Sequence, residues 1–481
     1  MNWLLLIELV YLVVLIIVCL RIVYDTRSST KTLAYLLLAI FLPVLGMIFY
    51  FSFGINYRKR KLYNSKWLVD EALLTELRST IAPFALKPGA VDRPALHKNR
   101  ELASLLSRDL RSQPTRNNRV KVLVNGEEKF PEVLEAIRAA KHHIHIEYYI
   151  YENDEIGNQI ADLLIQKASE GVTVRFIFDD FGSRAARRKL VPRLKKAGIE
   201  AQPFHRVRFW LLANRLNYRN HRKIIVIDGH TAFTGGINIS DRYINRGDGR
   251  HYWRDTHLRI DGPGVYYLQY LFLSDWQFCT GQSITGKEML FTPVEPVESD
   301  TLVQIAASGP DSDQPSILYS LLQAVFLAEK EILITTPYFI PGESMMEALN
   351  IAAISGLKVK LLVPGKSDSR LVNAAARSYY DELMAAGVEI YLYRKGFIHA
   401  KTLVADGMLA VVGTANMDFR SFELNFEVNA LIYDAPTAER MRQLFFEDLK
   451  NADRIDPERW ARRRFFRVVM EKLARLASPL L

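Results

Sequence analysis

The sequence predicts an α/β protein. Two pseudo-symmetric lobes, with mixed, largely parallel sheets flanked by helices, meet at a shared site, and two transmembrane helices precede them. Three observations predict this. Two long apolar runs open the chain, Trp3 to Leu20 and Leu33 to Phe53. Beyond them, short β-branched runs alternate with helical spacings, the signature of an α/β fold. A block of matched polar residues then occurs twice, with similar strand and helix patterns around each copy.

Size and composition bound the answer. At about 150 residues per domain, 481 residues make two to three folded units. A hydrophobic content of 49% excludes a chain that is mainly disordered. Two cysteines, Cys19 and Cys279, exclude a disulfide-stapled secreted scaffold. The formal net charge of +10 points to an anionic partner, either nucleic acid or an anionic membrane. The N-terminus decides for the membrane.

Each apolar run is long enough for a hydrocarbon core, which needs about 20 helical residues. The spans are placed at about 3–23 and 33–53, within a membrane hairpin over 1–57. A cleaved signal peptide fits poorly, because no basic region precedes Trp3 and no small-residue cleavage site precedes the second run. The link between the runs carries Arg21, Arg27 and Lys31, whereas Arg58, Lys59, Arg60, Lys61 and Lys66 follow the second run. The excess of positive charge places residues 58–481 in the cytoplasm, beyond a multi-pass anchor. Glu8 sits near the end of the first span and is read as interfacial.

A juxtamembrane linker is expected over 58–118, a first lobe over 119–285 and a second over 300–455. In the first lobe, Val120–Val124 reads as a strand, Phe130–Ala140 as a helix and Ile144–Tyr151 as a strand. Ile156–Ala168 follows as a helix and Val172–Phe178 as a strand. The pattern recurs: the stretch 332–340 answers 144–150, and 355–362 answers 170–177. The Pro-rich stretch near 280–300 reads as the linker between lobes.

The repeated polar block is the strongest signal. The first copy runs His221-Arg-Lys223-Ile-Ile-Val-Ile-Asp228, then Gly235-Gly-Ile-Asn238. The second runs His399-Ala-Lys401-Thr-Leu-Val-Ala-Asp406, then Gly413-Thr-Ala-Asn416. All internal spacings agree. Residues i and i+2 of a strand share a face, so each His points the same way as its Lys. Asp228 and Asp406 have the opposite parity and precede Gly229 and Gly407, a hairpin-turn signal that gives both a structural reading. The hairpin returns Asn238 and Asn416 towards the histidines.

Two lobes face to face would then offer two His, two Lys and two Asn. Lysines and amides can hold the non-bridging oxygens of a phosphodiester. One neutral imidazole can attack phosphorus while the other, protonated, supplies a proton to the leaving alkoxide. Imidazoles titrate near pH 6.5, so both forms are accessible. The lysines supply the positive charge, and neither a metal nor another cofactor is required. Each imidazole needs an orienting carboxylate, and Asp255 and Glu427 stand at corresponding places downstream. Ordinary surface or ion-pair duty is the competing reading for both. His142, His143 and His145 form a second cluster, at the start of a strand, with spacing poorly suited to zinc.

The paired block resembles the signature of the phospholipase D superfamily. The segments Tyr252-Trp-Arg-Asp-Thr-His-Leu-Arg259, Thr336-Pro-Tyr-Phe-Ile-Pro341 and Gly413-Thr-Ala-Asn-Met-Asp-Phe-Arg-Ser421 resemble the bacterial cardiolipin synthases, as does the N-terminal hairpin. The resemblance implies two phospholipase D-like lobes. It also implies a catalytic set of His221, Lys223, Asp228, His399, Lys401 and Asp406, with Asn238 and Asn416 on the substrate phosphate. Many superfamily members have Ser after the Gly of the block, where this chain has Gly236 and Thr414. A catalytic hydroxyl in the first lobe is therefore in doubt.

The reaction implied is transfer of a phosphatidyl group from one phosphatidylglycerol to another, giving cardiolipin and glycerol through a phosphatidyl-histidine. By the family's usual order the nucleophile is His221 and the acid/base His399. A hydrolase, or a transferase using another lipid such as phosphatidylethanolamine, would need the same residues. A nuclease gains nothing from a membrane hairpin, and a scaffold has no need of two matched His-Lys pairs. The partners expected are a phosphatidylglycerol substrate and an anionic membrane surface, with no nucleic acid. The stretch 456–481 reads as a basic amphipathic helix, either on that surface or packed on the body.

Overall fold

The computed structural model describes residues 3–26, 29–42, 44–51, 71–87, 93–109, 112–204, 218–245, 252–282 and 299–478. The basic flank after residue 57 and most of the expected inter-lobe linker lie outside them. The chain divides into two compact units, the first 70 residues in one and most of the remainder in the other.

The N-terminal unit holds α1 (Trp3–Asp25), α2 (Ser29–Phe41) and α3 (Leu45–Phe49). At 1.5 Å per residue, the 23 residues of α1 span about 34 Å, enough for a bilayer core of about 30 Å. Its large apolar side chains point outward along most of its length, as lipid contact requires. Among the described residues α1 alone is long and apolar enough to cross a membrane. The second expected span is not confirmed as one helix: the 13 residues of α2 reach only about 20 Å. Pro43 follows α2 in the sequence, and a proline both lacks the amide hydrogen and clashes with the preceding turn. Gly46 fits where it does because a Cβ there would lie 2.0 Å from the Leu38 carbonyl oxygen.

The body begins with α4 (Glu71–Ile81), α5 (Pro94–Lys98) and α6 (Arg100–Asp109). These occupy much of the expected linker, and Leu77, Ile81, Leu96, Leu102 and Leu106 are buried in the body. Among the described residues, fifteen strands follow in one sheet. The first half contributes β1 (Thr115–Val124), β2 (His143–Tyr148), β3 (Thr173–Asp179), β4 (Glu200–Phe204), β5 (Lys223–Ile227), β6 (Thr231–Gly235) and β7 (Thr256–Asp261). Its helices are α7 (Asn125–Ala139), α8 (Glu155–Ser169), α9 (Arg184–Lys196) and α10 (Gly264–Thr280). The second half contributes β8 (Thr301–Ser308), β9 (Glu331–Thr335), β10 (Lys358–Pro364), β11 (Glu389–Tyr393), β12 (Thr402–Ala405), β13 (Leu409–Gly413), β14 (Glu427–Tyr433) and β15 (Ala452–Arg454). Its helices are α11 (Ser316–Leu327), α12 (Gly342–Ile354), α13 (Arg370–Arg377), α14 (Tyr380–Ala386), α15 (Phe419–Glu423), α16 (Ala435–Leu449), α17 (Pro457–Ala461) and α18 (Phe465–Leu476).

The strand order shows the internal repeat. It reads β4-β3-β2-β5-β6-β7-β1 in one half and β11-β10-β9-β12-β13-β14-β8 in the other, with β1 joined to β8 and β15 added outside β11. Registers repeat too: Ile144 pairs with Ile227, and Ile332 with Ala405. The sheet is mixed rather than largely parallel. Among the described residues of this sheet, only β2/β3, β3/β4, β9/β10 and β10/β11 run parallel. These pairs are joined by helical crossovers, whereas the Asp-Gly turns after β5 and β12 force antiparallel hairpins.

Each central strand feeds two cores. Ile225 and Ile227 of β5 enter a core belonging to the first half. Ile224 and Val226 enter a core shared with Val404, Val412 and Ala430 of the second half. Across that shared layer β14 lies against β6 and β13 against β7. At roughly 1.5–3 kcal/mol per buried aliphatic side chain, β5 is anchored from both faces, and its first residue is Lys223.

Candidate active site

The two copies of the polar block sit at the starts of β5 and β12. Each His is stapled to the opposite half. The His221 amide donates to the Phe426 carbonyl (2.9 Å), directly before Glu427. The His399 amide donates to the Arg254 carbonyl (2.7 Å), directly before Asp255. The carboxylates therefore cross over. His221 Nδ1 lies 2.9 Å from both carboxylate oxygens of Glu427, and His399 Nδ1 lies 2.7 Å from Asp255 Oδ2. An ionised carboxylate only accepts, so each Nδ1 carries the proton and each Nε2 keeps its lone pair.

The two orienting carboxylates are held differently. Glu427 accepts from the Thr414 hydroxyl and from Asn425 Nδ2 (3.3 Å). Asp255 Oδ1 accepts from the Thr256 amide (2.7 Å). Gly236 occupies the place of Thr414, and a Cβ there would lie 2.1 Å from Asp255 Oδ1. The missing hydroxyl in the first half thus has a steric cause: the shorter Asp draws its carboxylate onto the backbone.

Lys223 Nζ donates to the His221 carbonyl (2.7 Å), and Lys401 Nζ to that of His399. Both lysines are buried, at 0% and 4% exposure. Burial pushes the Lys223 ammonium down to about 7 and that of Lys401 to about 8. Burial also lowers both imidazoles, with the lysines adding to the effect, and takes His399 to about 4. Each imidazole feels the other half's lysine, so the two blocks form one electrostatic site. Burial alone would raise Glu427, but His221, Lys223 and Thr414 outweigh it and hold the carboxyl below its usual range.

The asparagines follow the return strands of the hairpins. Gly413 donates to the Lys401 carbonyl (3.2 Å), which sets Asn416 three residues beyond. Asn416 Nδ2 donates to Asp418 (3.0 Å); Asn238 Nδ2 donates to the Tyr243 hydroxyl (2.8 Å). Both side chains are buried, and each amide nitrogen keeps a second hydrogen beyond the bond named.

Asp228 and Asp406 sit in the turns, with their carboxylates on backbone amides. Both adopt left-handed backbone, φ 50° and 53°, as a tight hairpin requires. The Asp228 carboxylate accepts from the amides of Lys141, His142 and His143 at 2.7–2.9 Å. That of Asp406 accepts from Glu329, Lys330 and Glu331 at 2.8–2.9 Å, and from Lys98. Each ties its hairpin to the helix-to-strand corner before β2 or β9. Strand parity explains the placement, since both aspartates point away from the His-Lys face.

Two histidines of the second cluster have structural partners: His143 Nε2 lies 3.3 Å from Gln269 Nε2. His145 lies 3.0 Å from Gln269 and 3.3 Å from Arg175, and stacks on Phe272. Among the described residues no group of three or more His, Cys, Asp or Glu is placed to hold a metal ion.

Aromatic walls are the part of the site that sequence reasoning missed. Tyr149 meets the His221 ring edge-on (4.9 Å), and Tyr243, Trp253 and Phe397 surround His399 at 5.6–5.9 Å. The available signal was position: Trp253 stands two residues before Asp255, and Phe397 two before His399.

The fold and its paired His-Lys site define a phospholipase D-like protein. Residues 133–251 and 321–449 match the family model described as "Cardiolipin synthase, PLD-like domain", and 10–54 match "Phospholipase_D-nuclease N-terminal". "Cardiolipin synthase 2" of Bacillus anthracis is 41% identical over 95% of this chain and 88% of its own length. "Cardiolipin synthase" of Geobacillus kaustophilus is 41% identical over 97% and 92%. The crystal structure of a phosphatidylserine synthase from Haemophilus influenzae superposes with a TM-score of 0.56 at 15% identity, covering 75% of this chain and 95% of its own. The chain belongs to the phospholipase D-like cardiolipin synthase family.

Proposed function

We propose that the chain is a cardiolipin synthase, a phosphatidyltransferase that joins two phosphatidylglycerol molecules and releases glycerol. The crossed carboxylate-imidazole pairs carry this reading. They leave two Nε2 atoms available beside two lysines, the minimum for a double displacement at phosphorus.

His221 Nε2 attacks the phosphorus of the first lipid, and the bond from phosphorus to the glycerol headgroup oxygen breaks. Protonated His399 gives its proton to that oxygen. His399, now neutral, takes the proton of the second lipid's terminal hydroxyl. The oxygen attacks phosphorus, the phosphorus–nitrogen bond breaks and His221 is restored. Lys223, Lys401, Asn238 and Asn416 hold the non-bridging oxygens, and Glu427 and Asp255 steady the imidazolium forms. Burial disfavours every cation in the site and lowers both lysines and both histidines. A bound phosphodiester anion reverses this, so the substrate itself charges the lysines and protonates the acid.

Lobes over 119–285 and 300–455, a multi-pass anchor and a cytoplasmic body complete the reading. The basic residues after 57 support that orientation. The test is purified full-length protein with phosphatidylglycerol vesicles and EDTA, read by lipid mass spectrometry and a glycerol assay. Cardiolipin and glycerol in equal amounts are expected. Phosphatidic acid in place of cardiolipin would make water the acceptor and the protein a hydrolase.

A further inference from the structure

The last helix is amphipathic, with its polar side inward. Glu471 of α18 is buried, and its carboxylate is held by Arg377 of α13 (2.7 Å) and by Arg463 (2.7 Å). The Trp460 ring lies between the same two guanidinium groups, at 4.2 and 4.0 Å. Arg475 sits over the Tyr379 ring (4.1 Å), and Ser478 meets the Tyr379 hydroxyl (3.1 Å). At 100° per residue, the opposite arc carries Phe465, Phe466, Met470, Leu473 and Leu476. These are 83%, 74%, 48%, 52% and 77% exposed. A surface helix ordinarily turns such a face to the core. Here the ion pairs of Glu471 prevent the helix from rolling over.

The rim of the apolar arc is basic: Arg462, Arg464, Arg467 and Lys472 are all exposed. Apolar area bordered by cations matches a bilayer interface with anionic headgroups. A second copy of the chain would set one basic rim against another, and nucleic acid has no use for five large apolar side chains. We propose that α18 docks on the anionic bilayer that holds the substrate, its apolar arc at the acyl boundary and its arginines on lipid phosphates.

This placement also aims the site. α18 packs along α13, which begins at Arg370, two residues after Asp368. The Asp368 carboxylate accepts from the Tyr338 hydroxyl (2.7 Å), and the Tyr338 ring adjoins Phe397 (6.4 Å), which flanks His399. One short rigid helix thus links the docking face to the wall of the site. The identity of the lipid in that site rests on the function proposed above; the docking itself does not.

Two measurements on the full-length protein test it. In the first, Cys19 and Cys279 are replaced by Ser, and Leu473→Cys carries an NBD fluorophore. In phosphatidylglycerol/phosphatidylethanolamine vesicles, NBD emission should shift to the blue and be quenched by lipids bearing a nitroxide near the headgroup. Both effects should weaken in phosphatidylcholine vesicles. A probe in water, or one shielded without lipid quenching, would overturn the proposal, the latter showing that protein covers this face. In the second, F466E/L473E is assayed. KM for phosphatidylglycerol in vesicles should rise about tenfold, while turnover of monomeric short-chain phosphatidylglycerol stays unchanged. Loss in both assays, or in neither, would also overturn it. If the unmodified protein makes no cardiolipin from either substrate, the proposed reaction fails, and the quenching still decides the docking.

Discussion

The two halves of the site reach one geometry by different means. Behind His399 the chain is apolar: Ile398 and Ala400 lie in the shared core. Behind His221 it is polar: Asn220 donates to buried Glu147, and Arg222 pairs with buried Asp275. Burial, with the Asp275 charge adding to it, raises the Glu147 carboxyl well above its ordinary range. The orienting acids differ in the same spirit. Glu427 is long and is braced by the side chains of Thr414 and Asn425, whereas Asp255 is short and is braced by backbone, with Gly236 making room. The repeat therefore holds the positions of the reacting atoms, while the side chains around them differ between the halves. The first half should be the more brittle, because removing one partner of a buried ion pair costs about 3–5 kcal/mol.

That contrast can be broken in graded steps. The largest effect should come where the halves are equivalent: His221→Ala and His399→Ala should each lower kcat by about 10⁴-fold or more. Cardiolipin formation per folded enzyme measures this. The next step separates the halves. Gly236→Ser should displace Asp255 and cost about 10²-fold in kcat. Its mirror, Thr414→Gly, removes the bond to Glu427 and the one accepted from the Val428 amide (2.9 Å); only the first bears on His221, and at about 1 kcal/mol it should cost about fivefold in kcat. Equal losses would refute the steric account of Gly236.

The pH profile is a third test. His399 and both lysines act in their protonated forms, so kcat/KM should fall as pH rises past about 4, more steeply past about 7, where Lys223 loses its proton, and again past about 8 with Lys401. At saturating substrate the phosphate anion supports these charges, so the fall in kcat should begin at higher pH. Steady-state rates at low and high phosphatidylglycerol distinguish the two profiles.

The smallest effect on chemistry should come from the turns. Asp228→Ala and Asp406→Ala should lower stability by about 2–3 kcal/mol, since each strands several amides. Turnover well below the melting temperature should change by less than about threefold. Thermal unfolding beside kcat measures both. A large loss of kcat with unchanged stability would return these residues to the catalytic group.

Much of this was legible in the sequence, and the gaps have physical causes. The two polar blocks repeat with equal spacing, so the two-fold organisation and the His-Lys pairs could be read directly. Strand parity with the following glycines also marked Asp228 and Asp406 as turn residues. The sheet's direction was misjudged because the helix-linked strands of the first lobe stood for the whole, although each Asp-Gly turn already implied an antiparallel pair. The second membrane run was read on hydropathy alone, and the described residues divide between α2 and α3. The crossing of Asp255 and Glu427 was hidden, because each stands in sequence near its own half's block and only tertiary docking exchanges them. The aromatic walls were hidden for the same reason. The C-terminal helix was visibly amphipathic, but which face it turns inward depends on Glu471 meeting Arg377, nearly a hundred residues away.

The central claim is that two imidazoles in one site do different jobs. The most direct test removes the need for one of them. A phosphatidyl ester of p-nitrophenol has a leaving group that departs without a proton. With it, His399→Ala should release a rapid burst of p-nitrophenolate equal to the enzyme concentration and then stall. His221→Ala should show no burst. A burst in His221→Ala, or none in either variant beside a normal burst in the unmodified protein, would contradict the account.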